Sequence, residues 1–468
     1  MVFSSIEFLL YFMPIFFIIY TCSPRKIKNF VLLAGSLIFY ACGELRFLGL
    51  LIVSMMINYL VARFIGAEHR FIDKYGDSDQ FELYTIWRKG VMLFAVTVNV
   101  GILVLFKVIM RSETIPLGVS FYTFQILSYL LDVYHREIPA EKSLIRLSTY
   151  IAMFPQLVAG PIVNYDEVSK ELRQRTMTWR TLQNGLKVFT LGLISKVLLA
   201  DQIGFLWNDI QVRGFESIST PLAWVGAFAY SLMIYFDFCG YSLMAIGLGA
   251  MMGFRLPPNF QLPYMAYSVR EFYRRWHMTL GRWFCKYVYI PLGGSRNGEL
   301  CTIRNLLIVW TLTGLWHGGS LNFILWGIAL WAVIVVERFV FGFLERHPIG
   351  GESIWRQFRI LPHLYLWTVI PVTWMFFAIT DLGQLRMYLG RMFGSVPAYQ
   401  IDGDWKKVLA EYLVPLTLGA IGATPIVRHL YKRFRDTTAL NVVLAVLFWV
   451  CVWRIMVEGN NPFLYFKF

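Results

Sequence analysis

Charged side chains are scarce in this sequence. Asp, Glu, Lys and Arg make up only 15% of the 468 residues, whereas hydrophobic types make up 57%. A soluble domain contains about 25% charged and about 45–50% apolar residues. The shortage of charge therefore excludes an ordinary soluble enzyme, a disordered chain and a collagen-like fibre. It predicts a protein whose main solvent is lipid.

Several chemical signatures are also missing. The six cysteines are scattered and include no CxxC pair, so the sequence predicts neither a disulfide framework nor a zinc site. There is no HExxH, P-loop, GxSxG or kinase motif. These absences argue against zinc hydrolases, NTP-driven pumps and serine esterases, and we expect no bound metal.

Apolar runs of membrane-spanning character recur along the whole chain. A transmembrane helix needs about 20 mostly apolar residues, and several runs are shorter, so we expect an all-α polytopic protein with roughly ten to twelve crossings plus re-entrant and interfacial helices. No internal repeat or linker is visible, which predicts a single membrane domain over 1–468. The first run lacks the features of a cleavable signal peptide and is predicted to remain as a span. The candidate runs centre on 5–21, 29–43, 47–65, 91–110, 115–132, 148–163, 184–200, 219–236, 241–254, 303–317, 320–343, 360–380, 408–426 and 438–457.

The excess of basic residues follows a membrane pattern. The net charge is +14, and Lys and Arg lie in short loops between apolar runs. We therefore expect anionic lipid headgroups or substrates as partners, and no nucleic acid. The basic loops after the first and third runs predict that both lie in the cytosol and that the N-terminus lies outside. Basic residues in 164–180 conflict with simple alternation, and a re-entrant 148–163 resolves the conflict.

Segment 264–296 is both basic and aromatic. It holds six Lys and Arg residues against one acid, Glu271. This density is typical of a helix that lies in the membrane interface. Two interpretations stay open, a simple surface anchor and a basic platform for a phosphorylated cytosolic donor.

Asp237 is the only charged residue between Ser217 and Phe254. A carboxylate at mid-membrane costs about 2.5–3.5 kcal/mol, so it is expected to face protein or a water-filled cavity. We favour a structural role in which an arginine or a hydroxyl is its partner. Nearby Gly247, Gly249 and Gly253 are better explained by close helix packing than by dinucleotide binding.

Two of the seven histidines lie in positions suited to chemistry. His317 stands among glycines at the junction of two apolar runs, and His277 lies on the basic segment. An imidazole titrates near neutrality and transfers protons in either direction. The alternative is that each is a hydrogen-bonded structural residue.

Five runs of residues together resemble the membrane-bound O-acyltransferase superfamily, in particular its bacterial alginate O-acetyltransferase branch. The start and end of the chain resemble the same branch, so the resemblance covers essentially the whole sequence. The runs are Ile115-Pro-Leu-Gly-Val-Ser-Phe-Tyr-Thr-Phe-Gln125, Phe154-Pro-Gln-Leu-Val-Ala-Gly-Pro161, Phe236-Asp-Phe-Cys-Gly-Tyr-Ser242, Arg274-Arg-Trp-His277 and Gly314-Leu-Trp-His-Gly318.

The resemblance implies a ring of tilted helices around a central tunnel, with the acyl donor entering from the cytosol and the acceptor from outside. It places the catalytic histidine at His317 and its polar partner at His277. The donor is expected to be acetyl-coenzyme A, a substrate rather than a permanently bound cofactor. From their charge alone, Arg274, Arg275 and Arg282 are candidates for holding its phosphates.

The resemblance also implies a bacterial inner-membrane enzyme that works with an extracytoplasmic acetyltransferase of the SGNH type. Alginate, peptidoglycan, cellulose or another exopolysaccharide is the expected final acceptor. The aromatic tail 463–468 contains Tyr465, which is either a transient acyl carrier or an interface anchor. Transfer of another acyl group, such as D-alanine from a carrier protein, is the alternative within the superfamily.

Two further classes of function fit the composition. A transporter or lipid flippase is one, although transporters usually show inverted repeats and none is visible here. The other is a membrane scaffold that only recruits the partner enzyme. Paired histidines with a basic aromatic platform favour acyl transfer over transport, and His317→Ala would separate an enzyme from a scaffold.

Overall fold

The computed structural model describes residues 1–75, 80–110, 115–158, 160–346, 360–395 and 403–459, and throughout these ranges the ordered elements are helices without a β-strand. The predicted all-α architecture is confirmed. Short π-helical or 3₁₀ turns extend several of the helices. The α-helices are α1 (Met13–Cys22), α2 (Lys28–Glu44), α3 (Leu48–Tyr75), α4 (Gln80–Val104), α5 (Val119–Tyr134), α6 (Leu144–Ala152), α7 (Phe154–Leu157), α8 (Tyr165–Arg173), α9 (Trp179–Ile194), α10 (Asp201–Arg213), α11 (Thr220–Met251), α12 (Val269–Arg275), α13 (Met278–Phe284), α14 (Glu299–His317), α15 (Leu321–Arg346), α16 (Ile360–Ala378), α17 (Leu382–Met392), α18 (Asp404–Glu411), α19 (Leu413–Gly422), α20 (Pro425–Phe434) and α21 (Thr438–Glu458).

Many of these helices are long and apolar enough to cross a membrane. Within the described ranges seven helical stretches meet that requirement, or eight if α19 and α20, bent by 70° relative to each other, form one broken span. The protein is therefore a multi-pass membrane protein, with fewer such stretches than the ten to twelve crossings predicted.

Two segments account for part of this difference. The runs 219–236 and 241–254 were expected to be separate spans, but they form the single helix α11. Segment 148–163 contains only the end of α6 and the four-residue α7, and neither helix is long enough to cross. This agrees with the expectation that 148–163 is not an ordinary span.

The chain packs as two units, and the single-domain organisation stays a prediction. The first unit comprises residues 1–189 and 244–257. Phe154 is the hub of its aromatic core, since its ring lies 5.2–6.3 Å from those of five other phenylalanines of the unit, among them Phe16 and Phe39. Gly185 and Gly247 face each other so closely that a Cβ on either would lie 2.6 Å from the other's carbonyl oxygen.

The glycines after Asp237 thus have identifiable structural roles. Gly247 permits the close helix approach just described, and a Cβ on Gly249 would press on the Leu256 side chain at 2.8 Å. Close packing is confirmed for both. Gly253 differs, because it lies just after the end of α11 with a φ of +89°, a conformation that glycine adopts at little cost.

The second unit comprises residues 190–243 and 258–468. It contains a charged cluster in which the Lys196 amine lies 2.7 Å from Asp237 and 2.8 Å from Asp201. Lys196 and Asp237 are both buried, and a buried charge persists only when it is paired. The predicted structural partner of Asp237 therefore exists, but it is a lysine rather than an arginine or a hydroxyl.

Helices α14 and α15 form a tightly packed pair in the same unit. A Cβ on Gly314 would collide with the carbonyl oxygen of Phe323, and one on Gly327 with that of Trp310. Small residues allow this close approach of membrane helices. The pair matters because α14 ends at His317.

We predict that Gly327→Ala lowers the stability of the protein by about 1–3 kcal/mol, because the added methyl group forces α14 and α15 apart. Gly101→Ala in α4 is the matched control, since no atom lies within 4 Å of its Cβ position. Alanine favours a helix over glycine by about 1 kcal/mol, so the control is expected to unfold at the same or a higher temperature. Thermal unfolding in detergent measures both, and equal losses would contradict the packing argument.

Candidate active site

The basic aromatic segment is broken at His277. The sequence favoured a helix in the membrane interface, and the structure divides the segment into two short helices, α12 and α13. Its location at the interface stays a prediction. The physical reason for the break is the backbone of His277, which has a φ of +43° and a ψ of 52°. Non-glycine residues adopt this left-handed conformation rarely, and the strain of about 1–3 kcal/mol is typical of functional sites.

Asn259 holds His277 in this position. Its side-chain oxygen lies 3.1 Å from Nδ1 of His277 and also accepts hydrogen bonds from the backbone N–H and the hydroxyl of Thr279, at 3.3 and 2.9 Å. Its amide nitrogen donates to the hydroxyl of Ser242 at 3.1 Å, and its backbone oxygen accepts from the Met278 N–H at 2.9 Å. One buried amide therefore fixes both the kink and the imidazole.

These contacts determine the tautomer of His277. The backbone N–H of Thr279 can only donate, so the Asn259 atom that it reaches is the oxygen. Nδ1 of His277 must then carry the proton, which leaves the lone pair on Nε2. Burial lowers the pKa of His277 to about 3, so the ring is neutral near pH 7.

His317 occupies the last position of α14 and is 3% exposed. Its ring packs edge-on against Trp326 and Phe377, with centroids 5.1 and 5.0 Å away. The following Gly318 leaves no room for a side chain, because a Cβ there would lie 2.6 Å from the ring of Phe323. The aromatic neighbours fix the orientation of the imidazole and exclude water from it.

One cavity of about 950 Å³ brings the two histidines together. The Trp316 ring lies 6.1 Å from that of His277 and 4.8 Å from that of His317. Both histidines are buried, whereas Arg270 and Arg274 on the same cavity are exposed. The cavity therefore runs from a basic, exposed end to an aromatic, buried end.

The three arginines predicted to bind phosphate are placed differently. Arg274 lines the cavity. Arg275 instead forms an ion pair with Glu271, at 2.5 Å, and Arg282 is not among the residues that line the cavity. The structure thus brings only Arg274 of this set to the two histidines, and the phosphate-binding role of all three stays a prediction.

Two cavity arginines were missed by the sequence argument. Arg270 and Arg338 line the cavity together with Arg274. Partial burial lowers the pKa of Arg270, and the nearby charges of Arg274 and Arg338 lower it further. Arg338 itself is paired with the carboxylate of Glu299. Arg338 lies on α15, far along the chain from 264–296, so no local sequence signal connects it to this group.

Glu337 anchors α12, the helix that carries Arg270 and Arg274. Its carboxylate accepts hydrogen bonds from the backbone N–H groups of Val269 and Arg270, at 2.5 and 3.1 Å. These groups lie in the first turn of α12, where they have no intrahelical partner. A residue of α15 thereby fixes the start of α12 and the direction of its arginines.

Two other predictions concern the acyl carrier and metal binding. Tyr465, the candidate acyl carrier, lies outside the described residues. Among the residues that are described, no group of three or more His, Cys, Asp or Glu side chains is arranged to hold a metal ion.

Comparisons with known proteins point in one direction. A family model described as "MBOAT, membrane-bound O-acyltransferase family" matches residues 78–379. The chain is 31% identical to the probable alginate O-acetylase AlgI of Pseudomonas putida over 520 aligned positions that cover 100% of both chains. It is 31% identical to the peptidoglycan O-acetyltransferase of Helicobacter pylori, covering 84% of this chain and 80% of the relative.

A more distant relative transfers a different group. The chain is 27% identical to the teichoic acid D-alanyltransferase of Bacillus subtilis over 225 positions, which cover 45% of this chain and 56% of that protein. The three relatives are named for the transfer of an acyl group to alginate, to peptidoglycan and to teichoic acid.

We predict that Asn259→Ala lowers the rate of acyl transfer about tenfold or more, because His277 loses the acceptor that fixes its tautomer. Asn259→Asp keeps an acceptor there and adds a negative charge, which raises the pKa of His277. The deprotonated ring is then restored only at higher pH, so the acid limb of the kcat–pH profile is expected to shift upward.

Ser242→Ala is the matched control for Asn259. It removes the partner of the Asn259 amide nitrogen but leaves the oxygen on His277, so the rate is expected to change less than threefold. If Asn259 only packed, Asn259→Asp and Ser242→Ala would both leave the pH profile unshifted. Size-exclusion chromatography identifies any variant that fails to fold.

Proposed function

Because the chain belongs to the membrane-bound O-acyltransferase family and is an acyltransferase, we propose that it moves acetyl groups from cytosolic acetyl-coenzyme A to an extracytoplasmic polysaccharide. The observation that carries this proposal is the cavity itself. Its exposed end has Arg270 and Arg274, which are suited to phosphates, and its buried end has two histidines suited to acyl transfer. Membership of this family also removes the transporter, flippase and scaffold alternatives.

The proposed reaction needs a base for the acceptor hydroxyl. His317 takes the proton of that hydroxyl as its oxygen attacks the thioester carbonyl carbon. A C–O bond forms, the C–S bond breaks, and the proton passes from His317 to the leaving thiolate. The C-terminal end of a helix carries partial negative charge, so the position of His317 at the end of α14 stabilises the imidazolium.

His277 supports the same step. Since Nδ1 donates to Asn259, the lone pair lies on Nε2, and this atom helps to orient the donor or the moving proton. The aromatic rings around both histidines keep bulk water away from the thioester. Water would otherwise compete with the hydroxyl as the acyl acceptor.

The acceptor is proposed from the relatives. Alginate is the first candidate, because full-length similarity extends to alginate O-acetylases. Peptidoglycan is a second candidate, since the H. pylori relative is named for it. D-alanine transfer is less well supported, because similarity to the teichoic acid enzyme covers only 45% of the chain.

The remaining features of the proposal concern the cell envelope. The enzyme resides in the bacterial inner membrane with its N-terminus outside and delivers acetyl groups to an SGNH-type partner. Tyr465 is proposed as the intermediate carrier, which takes the acetyl group at His317 and passes it on. Similarity to enzymes that modify cell-envelope polymers supports delivery outside the cytosol.

We predict that His317→Ala lowers acetyl transfer about 10²–10⁴-fold, the usual contribution of a positioned base. The measurement uses proteoliposomes and radiolabelled acetyl-coenzyme A, and it follows thioester cleavage and label on protein or acceptor. His429→Ala is the matched control, since that histidine is exposed on α20, and it is expected to match the wild type. Undiminished transfer in His317→Ala would refute the assignment of the base.

The same labelling assay includes Tyr465→Phe, which keeps the ring and removes only the hydroxyl. Label found covalently on the wild-type chain and absent from both Tyr465→Phe and His317→Ala supports a carrier tyrosine. Normal acetylation of the polymer by Tyr465→Phe would reject the carrier and leave Tyr465 as an interface anchor.

We predict that Arg274→Gln raises the KM for acetyl-coenzyme A about tenfold with little change in kcat, because a cation facing the phosphates is lost. Arg275→Gln, next in sequence but paired with Glu271, is expected to change KM less than twofold. Acetyl-pantetheine lacks the nucleotide phosphates, so wild type and Arg274→Gln should use it equally well. Equal effects of both substitutions would contradict the assignment.

A further inference from the structure

A second basic cavity lies in the first unit, and its lining includes none of the residues used for acyl transfer. It has a volume of about 430 Å³ and includes no acidic residue in its lining. It is formed by the loop before α2, the start of α6 and the end of α8 with the loop that follows. Its basic lining residues are Arg25, Lys26, Lys28, Arg146, Arg173 and Arg175.

One buried carboxylate offsets only part of this charge. Glu141 lies 3.0 Å from Arg146 and 3.9 Å from Arg173. Burial opposes its ionisation, but hydrogen bonds from Tyr165 and the Ser143 N–H and the charge of Arg146 outweigh it, so the pKa of Glu141 is lowered. The carboxylate is therefore ionised at neutral pH, and the cavity keeps a large excess of positive charge.

Arg175 is held in place by several contacts. Its Nε donates to the Tyr20 hydroxyl at 2.7 Å, one Nη donates to the Asn29 side-chain oxygen at 2.6 Å, and the guanidinium lies over the Phe254 ring. The second terminal nitrogen, Nη2, is buried and has no acceptor among the described protein atoms. The guanidinium also lines the cavity, and a fixed guanidinium suits a phosphate.

The surroundings of the cavity place it at a membrane surface. Lys28 is the first residue of a stretch apolar enough to span a membrane, and α9 begins at Trp179, four residues after Arg175. Trp179 is 78% exposed, and Phe30 and Ile145 are also exposed beside the cations. Tryptophan and basic residues at the ends of apolar helices lie at the level of lipid headgroups.

We propose that this basic cavity binds the phosphate group of an anionic phospholipid. The phosphate lies against the guanidinium of Arg175 and is attracted by the positive charges of Arg25, Lys26 and Lys28. The acyl chains of the lipid lie against the exposed apolar residues. A lipid fits better than a soluble phosphate because the cations stand directly beside lipid-facing side chains. The proposal does not depend on the acyl-transfer reaction.

The test compares two double variants that remove the same charge. Arg25→Gln with Lys26→Gln neutralises two exposed cations of the cavity, whereas Lys170→Gln with Arg180→Gln neutralises two exposed cations outside its lining. Each protein is purified in neutral detergent and titrated with phosphatidylglycerol or phosphatidylcholine, and bound lipid is measured by native mass spectrometry. Competition with inorganic phosphate distinguishes a lipid from a free anion.

We expect the wild type to retain phosphatidylglycerol in preference to phosphatidylcholine. The cavity variant should lose about tenfold or more of its affinity for phosphatidylglycerol, and the control variant less than twofold. Equal losses in the two variants would overturn the proposal in favour of diffuse attraction. Full displacement by millimolar inorganic phosphate would overturn the assignment to a lipid.

Arg175→Lys tests whether the site is specifically built. It keeps the charge but loses the planar fork that contacts Tyr20 and Asn29. We expect its preference for phosphatidylglycerol over phosphatidylcholine to fall several-fold. An unchanged preference would show that Arg175 does not bind the phosphate. The exposed double variant keeps the test valid if Arg175→Lys fails to fold.

Discussion

The hydrogen bonds of Asn259 are the constraint on which the candidate active site depends. A left-handed backbone at His277 is unfavourable and persists only where the surroundings hold it. Asn259 does this with its side-chain oxygen, its amide nitrogen and its backbone oxygen. The kink that results ends α12 after Arg274 and directs His277 into the cavity. Without the kink, one continuous helix would carry both the arginines and His277, and the regular helical turn alone would fix the directions of their side chains.

Charges in this membrane protein divide into those that are paired and those that converge on cavities. Lys196 lies between Asp237 and Asp201 and contributes to the structure, because leaving any of these charges alone in an apolar interior is costly. Arg275 is similarly engaged by Glu271. At the cavities, in contrast, several cations gather where water or a ligand reaches them.

Much of the fold and part of the site could be predicted from the sequence. The apolar runs identify an all-α membrane protein because hydropathy is read from consecutive residues and does not depend on tertiary contacts. His277 and His317 were singled out by their neighbours in sequence, and the structure places both on one cavity. Their catalytic roles stay predictions.

The errors and omissions arise from contacts that local sequence does not encode. Basic and aromatic density gave no sign that His277 adopts a left-handed backbone, so one helix was expected instead of two. Asn259 lies just before 264–296 and Arg338 lies on α15, and only the folded structure brings their side chains to His277 and Arg270. The runs 219–236 and 241–254 were expected to be separate spans, but the ion pair of Asp237 with Lys196 lets α11 continue through both.

The polarity of the cavity gives a physical reason for the proposed choice of donor. Acetyl-coenzyme A carries its charge on phosphates at one end and a small neutral thioester at the other. If the phosphates stay at the exposed end with Arg270 and Arg274, they keep much of their hydration and gain charged partners. Only the neutral thioester then enters the aromatic end, where desolvation costs little and His277 stays uncharged. A donor with charge near its acyl group would have to bury that charge at the aromatic end and would leave it far from the arginines. The cavity is therefore suited to a donor whose charge lies far from its reacting atom.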